Sequence, residues 1–381
     1  MGDAHFRVWF EGRAASGDEL ARIEEIEVTQ EMDAFWEAHM RIALCLDERG
    51  AWLHRPDEVA KPFSRVRIEL DVGNGRFEPL IDGPLVSVDS ALDSQPGRST
   101  ATMVVRDDSA FLHRDEEVEP AFENRLDSSI ADELFRRFEQ IDDTRIDATD
   151  DMHPSRMRRG TVLDFLRELA EVNDRHAYVL PGEKPGKSIG CFRQDPAGPA
   201  SLPKLVMIGD DRNLANASIT EDPEGPQRTR GQVLRASDQG IASFETSSAE
   251  LGLMRDLPPL PADLTPRRLL HPADNTDEDP RAAATAQARR AGYVYHLSGQ
   301  VVPGRYGAVL SPYNKVRVEA GATPYSGEYL ITKVVHRITH SLYSQRLEAK
   351  ADSVTEVSAA QVAESLGGNP SRSVSVSVGI F

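Results

Sequence analysis

Apolar residues take every second position from Trp36 onward. Trp36, Ala38, Met40, Ile42, Leu44 and Leu46 share one side, while Glu37, His39, Arg41 and Asp47 take the other. Side chains alternate between the two faces of a strand, so this period of two predicts a half-buried strand. Val66, Ile68, Leu70 and Val72 alternate in the same way with Arg65, Arg67, Glu69 and Asp71. The Gly73-Asn74-Gly75 that follows is turn chemistry, predicting a hairpin that returns near Phe77. From Asp127 the period lengthens: Ile130, Leu134, Phe135, Phe138 and Ile141 recur at helical spacing behind the cap candidates Asp127, Ser128 and Ser129. A second helix is expected from Thr161, with Asp164 completing a variant capping box and Phe165, Leu166, Leu169 and Val172 on its apolar side. Tyr178 and Val179 then read as a strand.

Residues 181–203, rich in Pro, Gly and Lys, read as a loop, and 257–266, with Pro258, Pro259, Pro261 and Pro266, as an extended connector. The alanine-rich run Arg281 to Ala291, stopped at Gly292, predicts a short helix. Strands are expected again at Val316 and Val318, from Tyr329 to Thr339, and from Leu342 to Lys350 after a turn at His340 and Ser341. Residues 353–381 form a separate tail whose end alternates Val374, Val376, Val378 and Ile380. The whole reads as α+β, mainly β.

The two β regions echo each other. Val66-Arg67-Ile68-Glu69 matches Val316-Arg317-Val318-Glu319, and each is followed by a glycine, Gly83 or Gly327, opening a long hairpin. Gly83 stands as far from Asp108-Ser109 as Gly327 does from Asp352-Ser353. The shared order predicts an old duplication of one unit. A closed trimer of such a chain would present six similar units in a ring.

Composition narrows the function. With 39% hydrophobic residues over 381 positions, the chain can bury two or three cores. Its net charge of −18 sets the field against phosphate backbones, so nucleic-acid binding by a basic face is not expected. No run approaches the roughly 20 apolar residues that span a bilayer, and Met1 to Phe10 lacks a signal-peptide pattern, so folding in a cytoplasm without stable membrane insertion is expected. Cys45 and Cys191 stand far apart and predict neither a disulfide framework nor a zinc site.

The chemical motifs are weak. Pro181 to Ser188 ends like a phosphate-binding loop, but position 181 is Pro where that loop needs Gly. His336 and His340 have metal spacing for a helix, yet they fall in a strand and a turn. The acidic run Asp142, Asp143, Asp147, Asp150 and Asp151 lacks the glycine and closing Glu of a calcium loop and reads as a solvated loop. No nucleophile elbow is present. No catalytic, metal or cofactor residues are expected.

The order of elements resembles the late control gene D family of phage tail proteins, itself similar to the hub portion of VgrG-type spikes. Three stretches carry the resemblance: Ile26-Glu27-Val28-Thr29-Gln30-Glu31-Met32-Asp33, the helix Thr161 to Ala170 leading to Tyr178-Val179, and Gly327-Glu328-Tyr329-Leu330-Ile331-Thr332-Lys333-Val334-Val335-His336. The resemblance implies a structural, non-enzymatic baseplate hub of a contractile tail or injection system. It implies a homotrimer with a pseudo-six-fold ring, joining a hexameric tail tube to a separate spike among baseplate wedge components, made in the bacterial cytoplasm and resident in the particle. It further implies a first tube-like barrel over 1–107 and an α+β middle domain over 108–210. The second barrel would cover 211–352, broken by an insertion at about 237–297, before the tail at 353–381. In that second barrel, strands from Leu214 to Leu234 would join those after Gly299.

Tube-docking and oligomer contacts are expected on the two hairpins, at Leu85, Val86 and Val88 and at Tyr329, Leu330, Thr332 and Val334. The tail, through Val374, Val376, Val378, Ile380 and Phe381, would tether the spike by adding a strand to its sheet. Part of the negative charge would line a channel. The rival readings are a tail-associated hydrolase, which needs a pocket with paired carboxylates or a Ser-His pair, and a monomeric β-rich receptor- or carbohydrate-binding module, which needs exposed aromatics.

Overall fold

The structure, a computed structural model, describes residues 4–45, 47–49, 61–95, 97–150, 152–222, 228–234, 239–254, 256–257, 261, 264–270, 280–321 and 323–354. The tail residues Val374 to Phe381 and much of the proline-rich connector lie outside this range.

The first third supplies β1 (His5–Phe10), β2 (Arg13–Ala14), β3 (Ile23–Glu31), β4 (Glu37–Ala43), β5 (Arg65–Asp71), β6 (Glu78–Ala91) and β7 (Thr100–Arg106). The middle supplies β8 (Glu117–Val118), β9 (Phe122–Leu126), β10 (Ile141–Ile146), β11 (Met152–Arg156), β12 (Arg159–Gly160), β13 (His176–Pro181) and β14 (Ser188–Arg193), with helices Asp127–Arg136 and Val162–Val172. The last part supplies β15 (Leu205–Val206), β16 (Leu214–Glu221), β17 (Arg228–Leu234), β18 (Ile241–Ser247), β19 (Arg267–Leu269), β20 (Tyr295–Val301), β21 (Lys315–Glu319), β22 (Gly327–Ile338) and β23 (Tyr343–Ala351), with helix Arg281–Ala291.

One thirteen-stranded sheet runs β16-β20-β23-β22-β3-β4-β7-β6-β5-β1-β2, with β21 beside β22 and β15 beside β21. The first β region and the last thus share a sheet, joined where β22 pairs with β3. Two cores lie against it, and a third lies against a smaller sheet. One collects Ile26, Val28, Met40, Ile68, Leu85 and Met103. A second collects Leu297, Val316, Tyr329, Val334 and Leu347. The third, in the middle region, packs Phe135, Phe165, Leu166 and Phe192 between its helices and the sheet β10-β14-β13.

Local chemistry explains most elements. Asp71 closes the β5–β6 turn by accepting from the backbone N–H of Gly73, Asn74 and Gly75 at 2.9 to 3.1 Å. Thr161 caps its helix by accepting from the N–H of Asp164 at 3.1 Å, satisfying one orphan donor of the first turn.

Four expectations change. Residues 188–193 are the strand β14 and not a loop; its period is hidden by Gly190, where a Cβ would stand 2.5 Å from the Phe135 ring. The helix behind Asp127 stops at Arg136, so Ile141 and the acidic residues Asp142 and Asp143 belong to β10. Its N-cap is Leu126, whose side chain has no acceptor, and the Asp127 carboxylate expected to cap it turns inward to Arg156. Finally, β17 does not join the large sheet; it pairs with β18 and β19, beside helix Arg281–Ala291, while β16 pairs with β20.

The echo is written in the hydrogen-bond registers. The order β5-β6-β7-β4-β3 in the first repeat matches β21-β22-β23-β20-β16 in the second. Val66 faces Gly83, and Val316 faces Tyr329. The register shifts between Leu85 and Ser87 in one long strand and between Ile331 and Lys333 in the other. It shifts again between Ile23 and Glu25, and between Leu214 and Asn216. Strand order alone could arise twice, but two bulges at matching places make one pattern used twice. The counterpart of Gly83 is therefore Tyr329, two residues beyond the Gly327 that the sequence spacing suggested.

Candidate assembly interface

The long strands β6 and β22 position the hairpin residues singled out above. Leu85, Tyr329, Leu330 and Val334 are core side chains. Val86 and Thr332 are half-buried at the matching bulges. Val88 stands out in solvent at 39% exposure, whereas its counterpart Val334 is at 0%.

The difference arises at the junction of the repeats. Along one edge β22 carries first β21 and then β3, in the register Lys333 opposite Glu31 to Ile338 opposite Ile26. The bulge at Thr332 turns its carbonyl to accept from the N–H of Met32 at 2.8 Å. His336 in this strand bonds Tyr343 Oη at 2.9 Å through Nδ1 and Gln30 Oε1 at 3.3 Å through Nε2. Burial pushes its pKa down to about 3, so it sits as a neutral core residue. On the polar face Lys333 pairs with Glu31 at 2.8 Å, and Arg337 pairs with Glu25.

Each hairpin also covers a set of charges, and the sets correspond. In the first repeat Arg65 binds Asp82 at 2.7 Å and Asp108 at 2.6 Å, while Arg67 binds Glu69 at 2.8 Å and Asp82 at 3.0 Å. By register the second repeat carries Lys315, Arg317, Glu319, Glu328 and Asp352 at these places. The first set is closed over by the segment that ends like a phosphate loop. There the Gly186 N–H donates to Asp82 at 2.9 Å and Arg67 donates to the Gly182 carbonyl at 2.7 Å. The segment is the turn between β13 and β14, and its backbone is taken up in clamping Asp82 and Arg67. In the second set the Ala200 N–H donates to Glu328 at 3.2 Å, and Arg317 remains 46% exposed.

A joint ties the three regions together. His176, at the start of β13, bonds Asp33 at 2.9 Å and Asp195 at 3.1 Å. Tyr293 donates to Asp195 at 2.7 Å, and Tyr313, stacked on Tyr178 at 3.6 Å, accepts from the Asp33 N–H at 2.8 Å. Burial works to lower the His176 pKa, but hydrogen bonds and charges from Asp195 and Asp33 outweigh it and raise it to about 9. This cluster gave no sequence signal, because its members are scattered over residues 33 to 313.

Carboxylates gather in more than one surface hollow, and one of about 460 Å³ is lined by Asp174, Asp195, Glu328 and Asp352. A surface hollow of about 890 Å³ holds Asp132 and Glu133, but both are paired with arginines, at Arg136, Arg125 and Arg137. Cys191 is buried, which pushes its thiol up to about 12, and Cys45 is exposed. Among the described residues no group of His, Cys, Asp or Glu could hold a metal ion, and no helix is long and apolar enough to cross a membrane.

Solved structures share this architecture. A tail protein from Neisseria meningitidis MC58 aligns with TM-score 0.65 and 14% identity, over 93% of this chain and 98% of its own. The 43 kDa tail protein of prophage MuSo2 from Shewanella oneidensis aligns with TM-score 0.64 and 14% identity, over 92% and 99%. An Escherichia coli type VI secretion component, described as similar to the T4 bacteriophage tail proteins gp27 and gp5, aligns with TM-score 0.52 and 11% identity, over 94% and 80%. No protein-family model and no curated protein matches the sequence.

Proposed function

We propose that this chain, which has the fold of phage tail and type VI secretion proteins, is a structural baseplate hub of a contractile tail or injection system. Three copies would close into a ring of six similar units and match a hexameric tail tube to a trimeric spike. The observation that carries this reading is the duplication: strand order and two bulges repeat within one chain, and a three-fold assembly of a two-fold repeat has the quasi-symmetry a six-fold partner needs.

The three cores support a division into two tube-like units, 1–107 and 211–352, about a middle domain at 108–210. The hairpin ends would meet neighbouring subunits and the tube, and the residues of the tail would meet the spike. The polar face of the sheet sets Glu25 and Glu31 beside Arg337 and Lys333. If this face lines the channel, its wall is laced with ion pairs. Such a wall leaves few unpaired charges to hold a passing cargo, which revises the simple acidic lining suggested by net charge. The particle's baseplate would be the protein's working location, and its role would involve no reaction.

Light scattering of the native protein across a dilution series, followed by averaging of particle images, tests the reading. A stable trimer forming a ring with six-fold appearance is expected. A monomer at every concentration, unchanged by added spike protein, would overturn it.

A further inference from the structure

The internal junction between the repeats is a template for a junction that the single chain leaves unmade. In the β22–β3 pairing, Val334 and Ile338 are 0% and 2% exposed. Their counterparts in the first repeat are Val88 and Leu92, which are 39% and 65% exposed. β6 pairs with β5 only up to Pro84, so the same edge beyond that point carries no strand among the described residues. The counterpart of β3 is β16, which among the described residues ends the sheet with its outer edge unpaired. Each copy therefore holds one half of this junction at each of two places.

Resting on the trimer reading, we propose that the outer half of β6 in one copy pairs antiparallel with β16 of the next. The register follows from the template: Ser87 opposite Asp222, Val88 opposite Glu221, Asp89 opposite Thr220, Ser90 opposite Ile219, Ala91 opposite Ser218 and Leu92 opposite Ala217. The matching bulges at Val86 and Thr332, and those between Leu214 and Asn216 and between Ile23 and Glu25, fix this alignment without a free choice of offset. Val88 and Leu92 then meet Ile219 and Ala217 on the core face, as Val334 and Ile338 meet Val28 and Ile26 within the chain. The ladder stops at Asp222, because Pro223 has no N–H to offer the Val86 carbonyl. The contact is head to tail, so every copy uses a different edge on each side and the sheet continues from copy to copy around the ring.

Directly opposed residues of an antiparallel pair lie about 4.5–5.5 Å apart at Cα, within disulfide reach. The full-length chain is made with Cys45→Ser and with Asp89→Cys plus Thr220→Cys; a control carries Asp89→Cys plus Ile219→Cys, one residue out of register and on the opposite face. Mild oxidation, denaturing electrophoresis and native light scattering are read together. Linked dimers and trimers from the first pair alone, at the native trimer mass, are expected. A trimer in which the first pair fails to link, or in which both pairs link equally, would remove this pairing and leave the trimer standing. A monomer in both variants and in the parent chain would remove the trimer reading as well.

Discussion

At the scale of single residues, two histidines carry opposite electrostatic burdens. His336 is buried and neutral, so an unfolded chain takes up a proton near pH 6.5 that the folded one refuses until about 3. Stability from this site is complete above 6.5 and falls as the solution is acidified. His176 is held charged by Asp195 and by the half-exposed Asp33, and its pKa rises to about 9 from 6.5. Its contribution is complete below 6.5 and is lost as pH rises through 9. Together they place a stability maximum near neutrality. His176→Gln should flatten the alkaline side between 6.5 and 9 and leave the acid side in place, as followed by urea midpoints across pH. An unchanged alkaline slope would show that the joint is not held by this charge.

At the scale of elements, the hairpins show how one strand pattern accommodates different side chains. Gly83 lies where a Cβ would approach the Arg106 carbonyl to 2.0 Å, while its counterpart Tyr329 fits a full side chain into the second core. Gly83→Ala should therefore cost about 1–3 kcal/mol, the usual range for overpacking, measured by urea denaturation. A neutral result would mean that β6 and β7 can separate locally. Capping is a second, independent test: Thr161→Ala should cost about 1 kcal/mol, since the Asp164 N–H loses its acceptor. The alternation from Trp36 and the helix behind Thr161 were legible because each buries one face of a single element. β14 and the end of helix Asp127–Arg136 were not, because Gly190 and Ile141 owe their places to Phe135 and to the neighbouring strand.

At the scale of the whole molecule, the proposed junction differs from its template in charge. The internal junction has Lys333 with Glu31 and Arg337 with Glu25, whereas the pairing between copies would set Ser87, Asp89 and Ala91 against Asp222, Thr220 and Ser218. Asp89 then lies diagonal to Asp222, within the range of cross-strand repulsion. Added salt should tighten the trimer, read as a lower dissociation constant between about 0.05 and 0.5 M, because screening weakens like-charge repulsion. Loosening by salt would point to ion pairs elsewhere in the interface. The sequence by itself determined the strand and helix periods, the poverty of catalytic motifs and the repetition of Val66 to Glu69 at Val316 to Glu319, since these depend on local spacing. The true counterpart of Gly83, the clamp on Asp82, the joint at His176 and the edges that the described residues leave bare at Leu92 and Ile219 were decided only in three dimensions. Each of them depends on which distant strand lies alongside, and a linear pattern of apolar and polar residues does not encode that choice locally.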